Sequence, residues 1–393
     1  MKTILDLRHE SLRITESIIN EKGPRLAGTK ACQETADLLV EAMKPFADTV
    51  EKEPFILHQG AFLGWIKILV ASYFVGVIAL WFNLPIVALI LAIISMLILV
   101  FQFFFYKPII DFLYPKKTGY NVIGTVEPKA PAEKQIIISG HHDSARIFNF
   151  FIHQPKLYNI RVTGGIALMI ALLLLSLLLV FVSNEAVSLS IKIVLSIGFL
   201  LTGQLWFFVS KKGTPGAGDN LIASAMAIVL GNYFSVNKLN KTRLIIASFD
   251  AEEEGLRGAR AYAKKHAQSL KKIPTTMLNV DCPYELKELF FLTSDINTTV
   301  KLSENLAKAL VEIAHEKNYP AVDKPIAFLT GGTDAGELAK VGVEATTLIA
   351  MPWSNQTRAS VYHTPNDTVD AIEVEAIDAT LDIFKTYIMR NDA

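Results

Sequence analysis

Thirty-nine consecutive residues, Ile68 to Tyr106, contain no Asp, Glu, Lys or Arg. As one helix at about 1.5 Å per residue they would be about twice as long as a ~30 Å hydrocarbon core requires, so the run has to fold back on itself. Asn83-Leu84-Pro85 supplies the break: Pro85 disfavours helix at the residue before it, and Asn tolerates turn geometry. The pattern predicts a hairpin of helices over roughly 62–82 and 86–106. Uncharged runs from Val162 to Asn184 and from Ile193 to Ser210, joined through Ser183-Asn184-Glu185, predict a second hairpin. Buried helices of a soluble core seldom run about 18 residues without a charge, least of all in adjacent pairs. The chain is therefore expected to cross a lipid bilayer four times.

Each hairpin returns the chain to the side it left, so the remaining segments face one compartment. Lys107, Lys116, Lys117, Arg146, Lys156, Arg161, Lys211 and Lys212 flank the spans on that side, whereas the hairpin tips offer only Lys192. By the bias of basic residues toward the cytoplasm, the large domain is expected to be cytoplasmic. Segments 1–60, 107–162 and 211–393 would form that domain, with hairpins 61–106 and 163–210 inserted into it. The spans also explain a composition that is 51% hydrophobic and only 19% charged, against roughly 25% charged in ordinary soluble domains. Thirty-eight basic residues balance thirty-eight acidic ones, which argues against a nucleic-acid partner. Cys32 and Cys282 are too few for a disulfide framework, and Met1 to Lys22 is charged throughout, without an apolar run of signal-peptide type.

Outside the hairpins, short apolar runs at 120–126, 135–139, 243–249, 276–280, 289–293 and 345–350 read as buried strands. Helical patterns at 30–43, 221–234, 258–270, 300–317 and 371–389 alternate with them. This order predicts an α/β fold with a mostly parallel mixed sheet sandwiched by helices. In such sheets ligands bind beyond the carboxyl ends of the strands, and that is where the chemically capable residues fall. Gln135–Ser139 runs into Gly140-His141-His142-Asp143, where the Asp143 carboxylate could take the ring N–H of a metal-bound His141. Pro215-Gly216-Ala217-Gly218-Asp219-Asn220 ends a loop in an acid that by itself could be a helix cap. Asp250, Glu252, Glu253 and Glu254 crowd the end of another strand, either a solvated helix start or a buried site. Asp281 ends a further strand, and His363 sits in Tyr362-His363-Thr364-Pro365-Asn366-Asp367-Thr368. Jointly these side chains make an oxygen-and-nitrogen donor set without thiolate, suited to two Zn²⁺ ions or another borderline divalent metal.

The chain resembles the co-catalytic di-zinc aminopeptidases of metallopeptidase family 28. The resemblance runs from Gly23 to about residue 60 and from Tyr120 to about 390, apart from the second hairpin. Its motifs fall in family order: Gly23-Pro24-Arg25-Leu26-Ala27-Gly28, His141-x-Asp143, Pro215-Gly216-Ala217 with Asp219-Asn220, Ala251-Glu252-Glu253 followed by Gly255-Leu256-Arg257-Gly258, Asp281, and His363-Thr364-Pro365-Asn366-Asp367-Thr368. The resemblance implies that His141 and Asp281 hold one zinc and Glu253 and His363 the other. Asp219 would bridge them through a strained peptide to Asn220, and Asp143 would orient His141. Glu252 would be the general base toward a metal-bridging water, and the reaction would remove residues from peptides with a free N-terminus.

Three departures from the family pattern stand out. Ile222-Ala223 replaces the usual Ser-Gly after the bridging acid, a feature shared with glutaminyl cyclases of the same superfamily. Phe328 to Asp334 offers no Tyr or His to stabilise an oxyanion. The second hairpin is inserted between His141 and Asp219, which is expected to bring the rim of the site near the membrane. The alternatives to a membrane-anchored aminopeptidase are therefore a glutaminyl cyclase-like enzyme, or a metal-free receptor or scaffold on a peptidase fold. The other histidines, His9, His58, His142, His153, His266 and His315, read as surface or packing residues.

Overall fold

In the computed structural model, which describes residues 2–352 and 360–392, the apolar runs pair into one eight-stranded sheet. Its strands are β1 (Thr49–His58), β2 (Lys116–Val126), β3 (Lys134–His141), β4 (Thr242–Phe249), β5 (Thr275–Pro283), β6 (Leu289–Leu292), β7 (Val322–Lys324) and β8 (Glu344–Ala350). The spatial order is β1-β2-β4-β3-β5-β8-β6-β7. The central strands β4, β3, β5 and β8 run parallel to one another, while β2 joins β4, and β1 joins β2, antiparallel. β8 pairs antiparallel with β6, and β7 closes the other edge parallel to β6. The fold is thus the mixed, helix-flanked sheet expected from the sequence.

Helices α1 (Ile4–Lys22), α2 (Lys30–Met43), α3 (Ile222–Val236), α4 (Arg257–His266), α5 (Glu304–Glu316), α6 (Asp334–Ala339) and α7 (Val374–Arg390) cover the sheet. The core joins Ile136, Ile137 and Ile138 of β3, Leu244 and Ile246 of β4, and the buried side of α3 from Ile222 to Phe234. α3 lies so close to β3 that a Cβ on Gly140 would stand 2.4 Å from Ala223 Cβ and 2.9 Å from its carbonyl carbon. A small residue at 223 follows from that approach, and it seats the first turn of α3 beside His141.

Besides the short β7 and α6, two longer elements, α1 and β1, escape the sequence reading. α1 carries its buried residues Leu7, Ser11, Ile14, Thr15 and Ile18 at helical spacing behind a Thr3/Asp6 capping box, but its charged outer face hides the stripe. β1 is an edge strand with Pro54 in its middle and only Glu53 and Leu57 buried, so its alternation is weak and its proline fits only an edge.

The chain divides into two compact units. One comprises Met1–Gln59, Lys116–Ile147 and Lys212–Ala393 and contains the sheet; the other comprises Gly60–Pro115 and Phe148–Lys211. The second unit holds four helices long and apolar enough to cross a membrane: Gly64–Trp81, Pro85–Phe104, Pro155–Phe181 and Glu185–Phe207. The third and fourth begin earlier than the uncharged runs. Asn184 caps the fourth span by accepting from Val187 N at 3.1 Å, which allows Glu185 in its first turn. Lys192 is accommodated because its Nζ donates to Asn83 Oδ1 at 2.7 Å in the turn of the first hairpin. Inside the bundle, Tyr73 Oη donates to the Leu195 carbonyl at 2.8 Å. Gln102 donates to Asp111 Oδ1 at 2.9 Å and to the Ala61 carbonyl at 3.2 Å.

Candidate active site

Three parallel strands deliver acids and a histidine to the same edge. β3 ends at His141, opposite Phe249 of β4, so the turn that follows β4 begins beside it. β5 carries Asp281 near its end. The two remaining loops are brought in by hydrogen bonds to backbone. Asp367 Oδ1 accepts from Gly218 N at 2.8 Å, which docks the His363 loop on the Asp219 loop. Asn220 Nδ2 donates to the Val280 carbonyl at 2.8 Å, which docks the Asp219 loop on β5. The Asp219–Asn220 peptide is cis.

Asp219 lies at the centre. Its Oδ1 is 3.3 Å from His141 Nε2 and its Oδ2 is 3.2 Å from His363 Nε2. His363 Nε2 is also 3.4 Å from Glu253 Oε1, and His141 Nε2 is 3.9 Å from Glu252 Oε2. Donor atoms of His141, Glu252 and Asp281 lie within 4.8 Å of one another, as do those of His141, Asp219 and Glu253. All seven residues singled out in the sequence, His141, Asp143, Asp219, Glu252, Glu253, Asp281 and His363, therefore belong to one cluster. Asp219 is no helix cap, and the four acids after β4 form no solvated helix start: Asp250 and Glu254 are buried, Glu252 and Glu253 half-buried.

Asp143 has a wider reach than orienting one ring. His141 Nδ1 lies 3.1 Å from the Asp143 main-chain carbonyl and 3.4 Å from its Oδ1. The carboxylate itself accepts from Glu252 N at 3.1 Å and Glu253 N at 3.2 Å. One acid thus ties the histidine to the turn that holds the paired glutamates. That turn starts from Ala251 at φ 58°, which sends Glu252 toward His141 and Glu253 toward His363.

Arg25, Asp334 and Asp250 were not named as site residues from the sequence. Arg25 is fully buried and donates to the carbonyls of His142 (2.9 Å), Pro215 (2.7 Å), Gly216 (2.7 Å) and Gly23 (3.0 Å). It fastens the His141 loop to the Asp219 loop, and Gly216 at φ 67° leaves room for it, since a Cβ there would stand 2.7 Å from Nη2. The Gly23–Gly28 motif was the signal for this residue. Asp334 opens α6 with both carboxylate oxygens buried and without a hydrogen-bond partner among the described residues. Asp250 accepts from Tyr120 N at 2.9 Å and from Cys32 Sγ at 3.2 Å. The remaining histidine of the strand end, His142, turns away to Ser248 Oγ at 2.9 Å, as β alternation requires.

The electrostatics show what the cluster lacks. Burial alone would lower the histidine pKa values, but the adjacent Asp143 and Asp219 carboxylates carry His141 well above its ordinary value. The charge of Glu253 and the Asp219 carboxylate beside it raise His363 to about 9. Burial raises Asp281 to about 7 and holds Glu252 and Asp334 well above the carboxylate range, with neighbouring acids adding to each. Asp219 is lowered because its two imidazole partners outweigh its burial. Carboxylates this close stabilise themselves by taking up protons unless cations sit among them. His141 Nε2 and Asp219 Oδ2 are buried and have no partner in hydrogen-bond geometry among the described residues: His141 Nε2 stands 3.3 Å from Asp219 Oδ1, and Asp219 Oδ2 stands 3.2 Å from His363 Nε2. With His141 Nδ1 directed at a carbonyl, its Nε2 lone pair points into the cluster, the arrangement of a metal-ligating histidine. Donor set, orphaned atoms and charge all fit divalent metal.

The eight-stranded sheet and its covering helices have the fold of zinc exopeptidases and glutaminyl cyclases. A Zn-dependent exopeptidase from Parabacteroides distasonis superposes with a TM-score of 0.59 at 13% identity, covering 98% of each chain. A glutaminyl cyclase from an Acidobacteriales bacterium gives 0.58 at 16% identity, covering 98% of this chain and 94% of its own. An aminopeptidase from an Aneurinibacillus strain gives 0.54 at 15% identity, covering 98% and 96%. Residues 205–388 match the model of peptidase family M28, which confirms the family resemblance over the segment carrying Asp219, Glu252, Glu253, Asp281 and His363. A comparison with curated protein sequences finds no match.

Proposed function

We propose that the protein is a membrane-anchored zinc aminopeptidase, with two Zn²⁺ held by His141, Asp281, Glu253, His363 and a bridging Asp219. Segments 1–60, 107–162 and 211–393 would form the peptidase domain, on the cytoplasmic side of the four spans. The observation that carries the reading is the position of Asp219, one oxygen toward each of two buried histidines at 3.3 and 3.2 Å. Bound there, divalent ions would polarise a scissile carbonyl and acidify a water shared between them. Glu252, whose proton affinity is raised by burial and by Asp281 and Glu253, takes a proton from the attacking water on its carboxylate and gives it to the leaving amine. Asp143 holds the backbone of both glutamates and the ring of His141, so base and ligands keep one register.

The test is release of free amino acids from unblocked peptides by full-length protein in detergent. Chelator-sensitive release that falls about 10²–10⁴-fold in Glu252→Gln is expected; release that persists undiminished in that variant refutes the assignment. Glutaminyl cyclisation is the second reading, supported by cyclases of the same fold at comparable similarity. It predicts ammonia release from peptides beginning with Gln and none of the amino-acid release.

A further inference from the structure

We propose that the groove between the first and fourth spans binds an anionic phospholipid, with an acyl chain in the groove and the phosphate on Lys67; this rests on the membrane reading above. The groove has a volume of about 590 Å³ and is lined by Val70, Phe74 and Val75 of the first span and by Phe199, Leu200 and Phe207 of the fourth. That is within the roughly 300–1,000 Å³ of small-molecule sites. Gln204, a polar residue on its wall, donates to the Leu200 carbonyl at 2.9 Å, so the wall selects an apolar chain.

The end of the groove has a different chemistry. Trp206 lines it there, and Lys67 Nζ stands 5.7 Å from the Trp206 ring centroid. An exposed lysine in the first turn of a span, beside an indole, is the pairing that marks the headgroup level of a bilayer. Lys67 forms no ion pair among the described residues, and its unit contains two carboxylates, Asp111 and Glu185. Asp111 accepts from Gln102. Glu185 opens the fourth span, 21 residues before Trp206, roughly 30 Å along a helix. A cation without a carboxylate from its own unit thus sits at the mouth of an apolar slot. From Lys67 to Val75 the helix rises about 12 Å, so the two parts are spaced as a phosphate and the upper part of an acyl chain are. Phosphatidylcholine satisfies the slot but brings its own cation to the lysine; a net-negative headgroup satisfies both.

Trp206 is a built-in reporter. The full-length protein is reconstituted in phosphatidylcholine vesicles containing either brominated-acyl phosphatidylglycerol or brominated-acyl phosphatidylcholine, and the Trp206 signal is taken by difference from Trp206→Phe. The expected result is quenching by the brominated anionic lipid at about fivefold lower mole fraction, the preference one lysine gives near an anionic surface. Lys67→Gln should abolish the preference, Lys67→Arg should retain it, and 0.5 M salt should weaken it in the unmodified protein. Equal quenching by the two lipids, or an unchanged preference in Lys67→Gln, overturns the proposal while leaving the membrane reading intact. Absence of quenching by either lipid overturns both.

Discussion

The two units treat buried polarity in opposite ways. At the carboxyl edge of the sheet, His141, Asp143, Asp219, Asp250, Asp281, Asp334 and His363 are each at most 9% exposed. Among the buried residues of the four spans the polar ones are Ser95, Gln102, Ser176 and Thr202, with Asp111 beyond the second span held by Gln102. Burying an unpaired charge costs several kcal/mol. The spans avoid that cost by composition, and the sheet unit accepts it because its charges converge on a place where cations can bind. A dense cluster of buried acids is therefore evidence of function in a way that a dense cluster of leucines is not.

That contrast can be broken most directly at Asp219. Asp219→Asn should lose bound metal, read by metal analysis of purified protein, and lower activity by more than the roughly 10–100-fold typical of removing an outer-shell partner. Retention of full metal would mean that the cluster is held together without cations. Next in size is Gly140→Ala, which forces a methyl group onto the Ala223 backbone. Overpacking of this kind costs about 1–3 kcal/mol and should appear as a lowered unfolding temperature together with weaker metal binding, since the clash adjoins His141. Gln102→Ala tests the other unit: it removes a donor from buried Asp111 and should cost about 1 kcal/mol, with metal content unchanged.

The smallest expected effect is a pH dependence at Glu53, on the exposed edge strand. Burial would raise its pKa, but the bonds from His266 and Lys265, at 2.8 and 2.7 Å, hold it below the ordinary 4.5. The folded state therefore gains stability above about pH 4.5 and loses it as pH falls through the lowered native value. Glu53→Gln should be less stable than the unmodified protein at neutral pH and converge with it in acid. An equal difference at both pH values would show that the pair contributes by packing alone.

Much of this was legible in the chain. The strand ends carrying His141, Glu253 and Asp281 stood out because each couples an apolar run to a polar side chain at its carboxyl end, and local order survives into the fold; Asp219 and His363 were legible as members of loop motifs. Arg25 was legible as part of a motif but not as a fastener, because its four carbonyl partners are spread from Gly23 to Gly216. Asp334 was passed over because one acid in a Gly-rich loop resembles many surface acids until its burial is known. β1 was missed because an edge strand buries too little to leave a period of two.

By itself the sequence determined the four apolar spans, the alternation that makes a helix-flanked sheet, and the identity of the donor atoms. These depend on composition and short-range periodicity, which bilayer thickness and backbone geometry translate directly. Only the tertiary structure decided that one Asp143 carboxylate holds both glutamate amides, that Asp219 faces two histidines, and that Lys67 meets Trp206. Each joins residues tens to more than a hundred positions apart, and whether such groups lie 3 Å or 30 Å from one another is set by packing, which no local pattern records.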